Sequence, residues 1–220
     1  MKKSKKRKPR LITVIISLLV ILLIIWIIPN NKYNGIDISR HNDGIDWNSV
    51  KEDSNIEFCI VKATEGGNWV DPLCLKLVAN SNSIGRKTGL YHYFRTNVSG
   101  IEQFENFNKI LKQCKFQVIP VIDVESNLNK LDSGNATDKL KEMIECFKNE
   151  YGYYPIIYLG SWDSLKTYST IKECKWWVRC IGFRNFISSS IKQVAVEKKY
   201  NTEIDLDYCS NIEDILIPNT

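Results

Sequence analysis

Beyond residue 32 the chain alternates between short apolar blocks and longer stretches with helical spacing. Eight blocks are rich in β-branched and aromatic residues and bounded by turn residues, which predicts strands. They are Gly35–Ser39, Glu57–Ala63, Thr88–Phe94, Gln117–Val124, Pro155–Leu159, Trp176–Ile181, Ile191–Val196 and Glu203–Cys209. Several are apolar on both faces, as strands of a parallel sheet covered on both sides are; Pro120 inside the fourth predicts a bulge or bend. Helices are predicted over Asp71–Ser83, Gly100–Cys114 and Asn135–Tyr151, the last with Leu140, Ile144 and Phe147 at helical intervals, and a shorter one over Ser161–Tyr168. Beyond the sixth block the gaps shrink to about nine and six residues. A parallel crossover needs about a dozen residues, so the last three strands are expected to join by hairpin-like turns. The pattern predicts an α/β fold: one TIM-like barrel that begins as β/α units and closes with plain strands.

The first thirty-two residues follow a different rule. Residues 1–10 form a basic tail with Lys2, Lys3, Lys5, Lys6, Arg7, Lys8 and Arg10, and residues 11–28 are apolar except for Thr13 and Ser17. As a helix at about 1.5 Å per residue that run reaches roughly 27 Å, close to the hydrocarbon thickness of a bilayer. It is expected to be a transmembrane signal-anchor, with a cytoplasmic tail, a linker over residues 29–32, and residues 33–220 outside the cytoplasm as a single-pass membrane protein. Small residues of the A-x-A kind are missing after the apolar run, where Ile-Trp-Ile-Ile-Pro-Asn-Asn stands, so the anchor is expected to stay uncleaved.

Charge and cysteines narrow the picture. The formal net charge of +5 comes from the tail: with its seven cations set aside, acids slightly outnumber bases. That balance offers no electrostatic footprint for nucleic acid. The seven cysteines include no C-x-x-C pair, and only His41 and His92 are available beside them, so no metal site is expected. Cys59, Cys180 and Cys209 lie in strand-like runs and are expected to be small buried apolar residues.

In barrels of this kind, functional groups lie at the C-terminal ends of strands. The first run ends in Asp37-Ile38-Ser39-Arg40-His41, the second in Lys62-Ala63-Thr64-Glu65-Gly66 and the fourth in Asp123-Val124-Glu125, while the eighth contains Asp205-Leu206-Asp207. Acids from four strands therefore converge on one mouth. Asp123 and Glu125, two apart on a strand, point the same way with Cα atoms roughly 6.5 Å apart. Partial burial and mutual repulsion lift one of the two pKa values, which suits one acid to protonating a glycosidic oxygen while its neighbour stays ionised. Asp37 and Asp205 lie on the strands that close the barrel and are candidates for one side of the same site. Lys62, Glu65, Tyr91, Phe94, Tyr158 and Trp177 are candidate substrate contacts, because aromatic faces pack on sugar rings; Tyr93 and Trp176 are of the same kind. His92 has no Ser or Cys nucleophile motif beside it, which removes support for a hydrolase triad.

These residues form an ordered set that resembles glycoside hydrolase family 25, the muramidase-type lysozymes. Tyr33-Asn34-Gly35-Ile36-Asp37-Ile38-Ser39 followed by Ile45-Asp46-Trp47 matches the family's opening, and Val61-Lys62-Ala63-Thr64-Glu65-Gly66 with Asp71-Pro72 comes next. Gly89-Leu90-Tyr91-His92-Tyr93-Phe94, Val121-Ile122-Asp123-Val124-Glu125, Pro155-Ile156-Ile157-Tyr158 and Asp205-Leu206 continue in order, over roughly Tyr33 to Ile215. The resemblance implies a (β/α)5β3 barrel and cleavage of the β-1,4 bond between N-acetylmuramic acid and N-acetylglucosamine in peptidoglycan. It implies Glu125 as general acid, Asp123 as the acid that orients the substrate acetamido group or stabilises charge, and Asp37 and Asp205 as the further acids of the cleft. The partner it implies is peptidoglycan or a related N-acetylated glycan; it implies no metal or cofactor and says nothing of oligomeric state. Departures cluster late: Val178-Arg179-Cys180-Ile181 in the sixth strand, Lys192-Gln193-Val194 in the seventh, and Asp207 where Asn or Ser is usual. A competing reading is a wall-polysaccharide-binding barrel that has lost turnover through those departures.

Overall fold

The computed structural model describes residues 16–17, 32–125, 133–161, 171–180 and 188–218. The chain divides into two units, Met1–Asn31 and Lys32–Thr220. The expected anchor, residues 11–28, lies outside the described residues apart from Ile16 and Ser17, as does the predicted helix over Ser161–Tyr168 apart from Ser161. Among the described residues no helix is long and apolar enough to cross a membrane.

The second unit is an eight-stranded barrel wrapped by helices. In chain order it runs β1 (Gly35–Ile38), α1 (Trp47–Glu52), β2 (Phe58–Glu65), β3 (Trp69–Val70), α2 (Cys74–Ser83), β4 (Lys87–Tyr93) and α3 (Gly100–Leu111). It continues with β5 (Val121–Val124), α4 (Ser133–Tyr151), β6 (Ile156–Leu159), β7 (Lys175–Arg179), β8 (Ile191–Lys199) and β9 (Thr202–Cys209). The barrel order is β1-β2-β4-β5-β6-β7-β8-β9, closed by β9 back on β1, with β3 a short antiparallel strand hung on the end of β2. Among the eight barrel strands, β1, β2, β4, β5, β6, β7 and β8 are parallel to one another, and β9 runs the other way.

The strand ends follow from local chemistry. The fourth predicted run shrinks to Val121–Val124 because Pro120 has no N–H for a ladder bond. Val118 instead bridges Leu216, so the segment after the 3-10 turn Ile212–Ile215 packs against the bottom of the barrel. Between β8 and β9 the turn residues Tyr200 and Asn201 have φ of 51° and 67°, the left-handed pair that a tight hairpin needs. Asp53 pins this hairpin by accepting from Lys199 Nζ at 2.6 Å and Tyr200 Oη at 2.7 Å.

One topological expectation fails. β7 and β8 pair in parallel, Trp177 against Ile191 and Arg179 against Gln193, so they are not joined as a hairpin. The connection, residues 180–190, sits close to the minimum of about a dozen for a crossover, and gap counting placed it on the wrong side. Of the two links among the last three strands, only β8–β9 is a hairpin.

Two apolar layers hold the unit together. Outward residues such as Val61, Leu90, Ile122 and Ile157 meet Phe104, Phe107, Leu140 and Phe147 of α3 and α4. Inside the barrel, Phe58, Ile60, Val121, Ile156, Ile191 and Cys209 fill the lower half. Cys59, Cys180 and Cys209 are buried, as expected. Gly35 is what lets Phe58 sit in the lower layer: a Cβ there would fall 2.1 Å from the Phe58 ring. Gly35→Ala is therefore expected to cost about 1–3 kcal/mol by overpacking. A lowered urea midpoint would show this, and an unchanged midpoint would contradict it.

Candidate active site

Alternation along each strand decides which side chains enter the barrel. Above the apolar layer, the next inward positions are Asp37 on β1, Lys62 on β2, Tyr91 and Tyr93 on β4, and Asp123 and Glu125 on β5. They continue with Tyr158 on β6, Trp177 on β7, Gln193 on β8 and Asp205 on β9. Together with Ser39 and His41 they line one cavity of about 180 Å³ at the C-terminal mouth. All four expected acids thus meet in one place, and Lys62, Tyr91, Tyr158 and Trp177 join them.

Asp123 is buried at 7 % exposure, while Glu125, the next inward residue toward solvent, is exposed. Burial raises the Asp123 pKa well above the carboxylate range, and Glu125 and then Asp37 raise it further. Gly160, one residue past β6, lets Glu125 lie against the neighbouring strand end, since a Cβ there would meet the Glu125 carboxylate at 3.0 Å. Asp37 and Asp205 face each other directly across the β1–β9 pair. Burial lifts the Asp37 pKa well above normal, Asp205 adds to this, and the Gln193 hydrogen bond opposes it. Burial likewise lifts Asp205, to about 6, against the pull of Arg179.

A hydrogen-bond chain orders the deep wall. Tyr158 Oη donates to Gln193 Oε1 at 2.9 Å, and Gln193 Nε2 donates to Asp37 Oδ2 at 3.4 Å. Trp177 Nε1 donates to Asp207 Oδ1 at 3.1 Å, and the Tyr158 and Trp177 rings meet edge to face at 4.7 Å. On the opposite wall, Lys62 Nζ bonds Glu65 Oε2 at 2.8 Å and lies 4.8 Å from the Tyr93 ring centre.

Three expected contacts lie elsewhere. Phe94 is fully buried in the outer layer; it follows Tyr93 directly, so the two-residue period sends it to the opposite face. Glu65 does not line the acid cavity. It pairs with Arg95 and Lys62 and borders a separate hollow of about 340 Å³ with Trp69 and Asn97. Trp176 also faces outward, against the helices. His92 is a buried structural residue between Thr64 Oγ1 at 2.8 Å and Gln103 Oε1 at 3.1 Å, its pKa pressed down to about 4 by burial.

Residues not singled out from sequence complete the cavity: Ser39, His41, Gln193 and, beneath them, Asp207. Strand parity, applied to β8 and β9 as it was to β5, selects Gln193 and Asp207. Among the described residues no cluster of His, Cys, Asp and Glu is arranged to hold a metal ion.

The family model for glycosyl hydrolases family 25 matches residues 36–196. The chain belongs to glycosyl hydrolase family 25. A family 25 glycosyl hydrolase from Bacillus anthracis shares its fold at a TM-score of 0.71 and 28 % identity, over 84 % of this chain and 92 % of that one. The uncharacterized protein YegX of Escherichia coli K12 is 32 % identical over 152 residues, 66 % of this chain and 55 % of YegX. Lysozyme M1 of Streptomyces globisporus is 30 % identical over 156 residues, 69 % of this chain and 50 % of that protein. The chain spans about half the length of these two curated relatives.

The raised Asp205 pKa has a consequence for stability. An unfolded Asp titrates near 4, whereas the folded carboxyl holds its proton to about 6. Between those values the native state binds more protons than the unfolded chain, so stability falls as pH rises. The contribution of Asp205 is thus fully present below about 4 and lost as pH passes through about 6. Asp205→Asn is expected to flatten this part of the pH–stability curve, measured by denaturant midpoints at pH 4, 5, 6 and 7; an unaltered slope would contradict it.

Proposed function

We propose that this family 25 protein is a muramidase that hydrolyses the β-1,4 bond between N-acetylmuramic acid and N-acetylglucosamine in peptidoglycan. The observation that carries the proposal is the Asp123/Glu125 pair: one carboxyl buried, the other exposed directly above it at the open mouth. Glu125 is the acid that meets the glycosidic oxygen. As its proton passes to that oxygen the bond to the anomeric carbon breaks, and positive charge develops on the sugar ring. Asp123 lies deeper on the same face, where it faces the ring and orients its acetamido group by hydrogen bonding. The leaving sugar departs as an alcohol; water then adds to the anomeric carbon and its released proton returns to a carboxylate of the site, which restores the acid. Asp37 and Asp205 hold the far side of the ring, and Tyr91, Tyr93 and Tyr158 give it apolar faces to pack on. The lysozymes among the relatives support the substrate class.

The same reading places the barrel outside the cytoplasm, tethered by residues 11–28. Its support is the sequence: seven cations before an apolar run of bilayer length. Carbonate washing of membranes is expected to leave the full chain in the pellet, while residues 32–220 alone appear in the supernatant; release of the full chain would remove the anchor.

Glu125→Gln is expected to lower hydrolysis of purified peptidoglycan by about 100–10,000-fold while keeping the fold, the span that a lost general acid typically removes. Asp205→Asn is expected to cost less. Release of soluble muropeptides, measured side by side, checks the ranking. Full activity in Glu125→Gln would move the acid elsewhere. A wild type that folds and sediments with the wall without releasing fragments would favour the binding-module reading.

A further inference from the structure

Asp207 is a carboxyl in a place that is hard to explain as a carboxylate. It is 0 % exposed, on the inner face of β9, beneath Asp37 and Asp205. Its register partner on β1 is Gly35, whose side-chain position is taken by the Phe58 ring, and Asp37 is the next inward residue of β1. The Asp37 carboxyl lies within hydrogen-bonding reach of Asp207. Among the described residues Asp207 Oδ2 meets no donor, although Oδ1 accepts from Trp177 Nε1 at 3.1 Å.

Counting donors and acceptors resolves this. Asp37 Oδ2 accepts from Gln193 Nε2, and Gln193 Oε1 is already taken by Tyr158 Oη. Trp177 has one N–H, and it points at Asp207 Oδ1. Two buried carboxylates in contact would leave oxygens without donors and two like charges side by side, a combination that burial penalises heavily. One proton on Asp207 Oδ2 satisfies every member. Asp207 then donates to Asp37, accepts from Trp177, and leaves Asp37 as a carboxylate that accepts from both Asp207 and Gln193.

We propose that Asp207 is a neutral carboxylic acid that donates its proton in a hydrogen bond to Asp37 and so positions the Asp37 carboxylate at the floor of the cleft. It is a positioning residue, because it lies below the cavity lining and acts on substrate only through Asp37. The groups that face it fit the assignment. They are Asp37 on β1, Asp205 on β9 and Tyr158 on β6, with neutral Trp177 on β7. Burial, then Asp37 and Asp205, keep the proton on Asp207. The side chain that can replace it is Asn, whose amide N–H donates from the same position and cannot ionise.

The functional consequence rests on the muramidase reading, while the shared proton does not, so the test has two arms. Infrared spectra of the full chain labelled with ¹³C-aspartate are expected to show a neutral carboxylic acid band at neutral pH that Asp207→Asn diminishes. In parallel, kcat on peptidoglycan is expected to be at least about tenfold higher in Asp207→Asn than in Asp207→Leu, with KM similar in the two, the scale of one lost charge-assisted hydrogen bond. An acid band unchanged by Asp207→Asn would overturn the protonation. Equal kcat in the two variants would overturn the positioning role. Absence of cleavage by the wild type would strike the muramidase reading and leave the infrared result to decide Asp207.

Discussion

The structure turns on one constraint: the barrel buries carboxyl groups beside one another and must keep most of them from being charged together. Two carboxylates about 4 Å apart repel by about 4 kcal/mol at an effective dielectric near 20. Asp37, Asp123, Asp205 and Asp207 all occupy the inner face, and burial raises the pKa of each. The barrel meets the constraint with protons and neutral donors. Gln193, Tyr158 and Trp177 supply N–H and O–H groups on the deep wall, and the nearest cations stand at its edges: Lys62, committed to Glu65, and Arg179 beside Asp205. A site of this kind holds exchangeable protons where a sugar bond would enter, which is what acid catalysis of glycoside cleavage requires.

The reversed strand β9 makes this arrangement possible. By pairing antiparallel with β1 it sets Asp205 opposite Asp37 and Asp207 opposite Gly35. A parallel closure would have carried the inner residues of β9 away from the first strand's acid in a different register. Gly35 serves the lower layer, where its missing side chain accommodates the Phe58 ring. The apolar lower half of the barrel, closed by Phe58, Ile60 and Val121 and by Ile215 from the C-terminal segment, keeps the acid layer dry from beneath.

Much of this was legible in the chain. The strands announced themselves as β-branched runs, and the rule that function sits at their C-terminal ends led directly to Asp37, Asp123, Glu125 and Asp205. What escaped had identifiable physical causes. Phe94 was grouped with Tyr91 and Tyr93 by chemistry, although period-two alternation separates it from both. Glu65 follows a register shift in β2 and turns to Arg95 and Lys62 instead of the acids. The parallel pairing of β7 and β8 lay at the edge of what loop length decides. Asp207 was visible only as a departure from a family pattern, because its significance depends on cross-strand Asp37, which one sequence does not display as a contact. Gln193 and His41 read as ordinary polar residues until the barrel closed around them.

The central claim is that the acid mouth cuts one bond of the wall glycan. Mass spectrometry of the fragments released from purified peptidoglycan tests it most directly. The account predicts muropeptides that end in a reducing N-acetylmuramic acid. Fragments ending in reducing N-acetylglucosamine, or fragments cut only in the peptide stems, would contradict it.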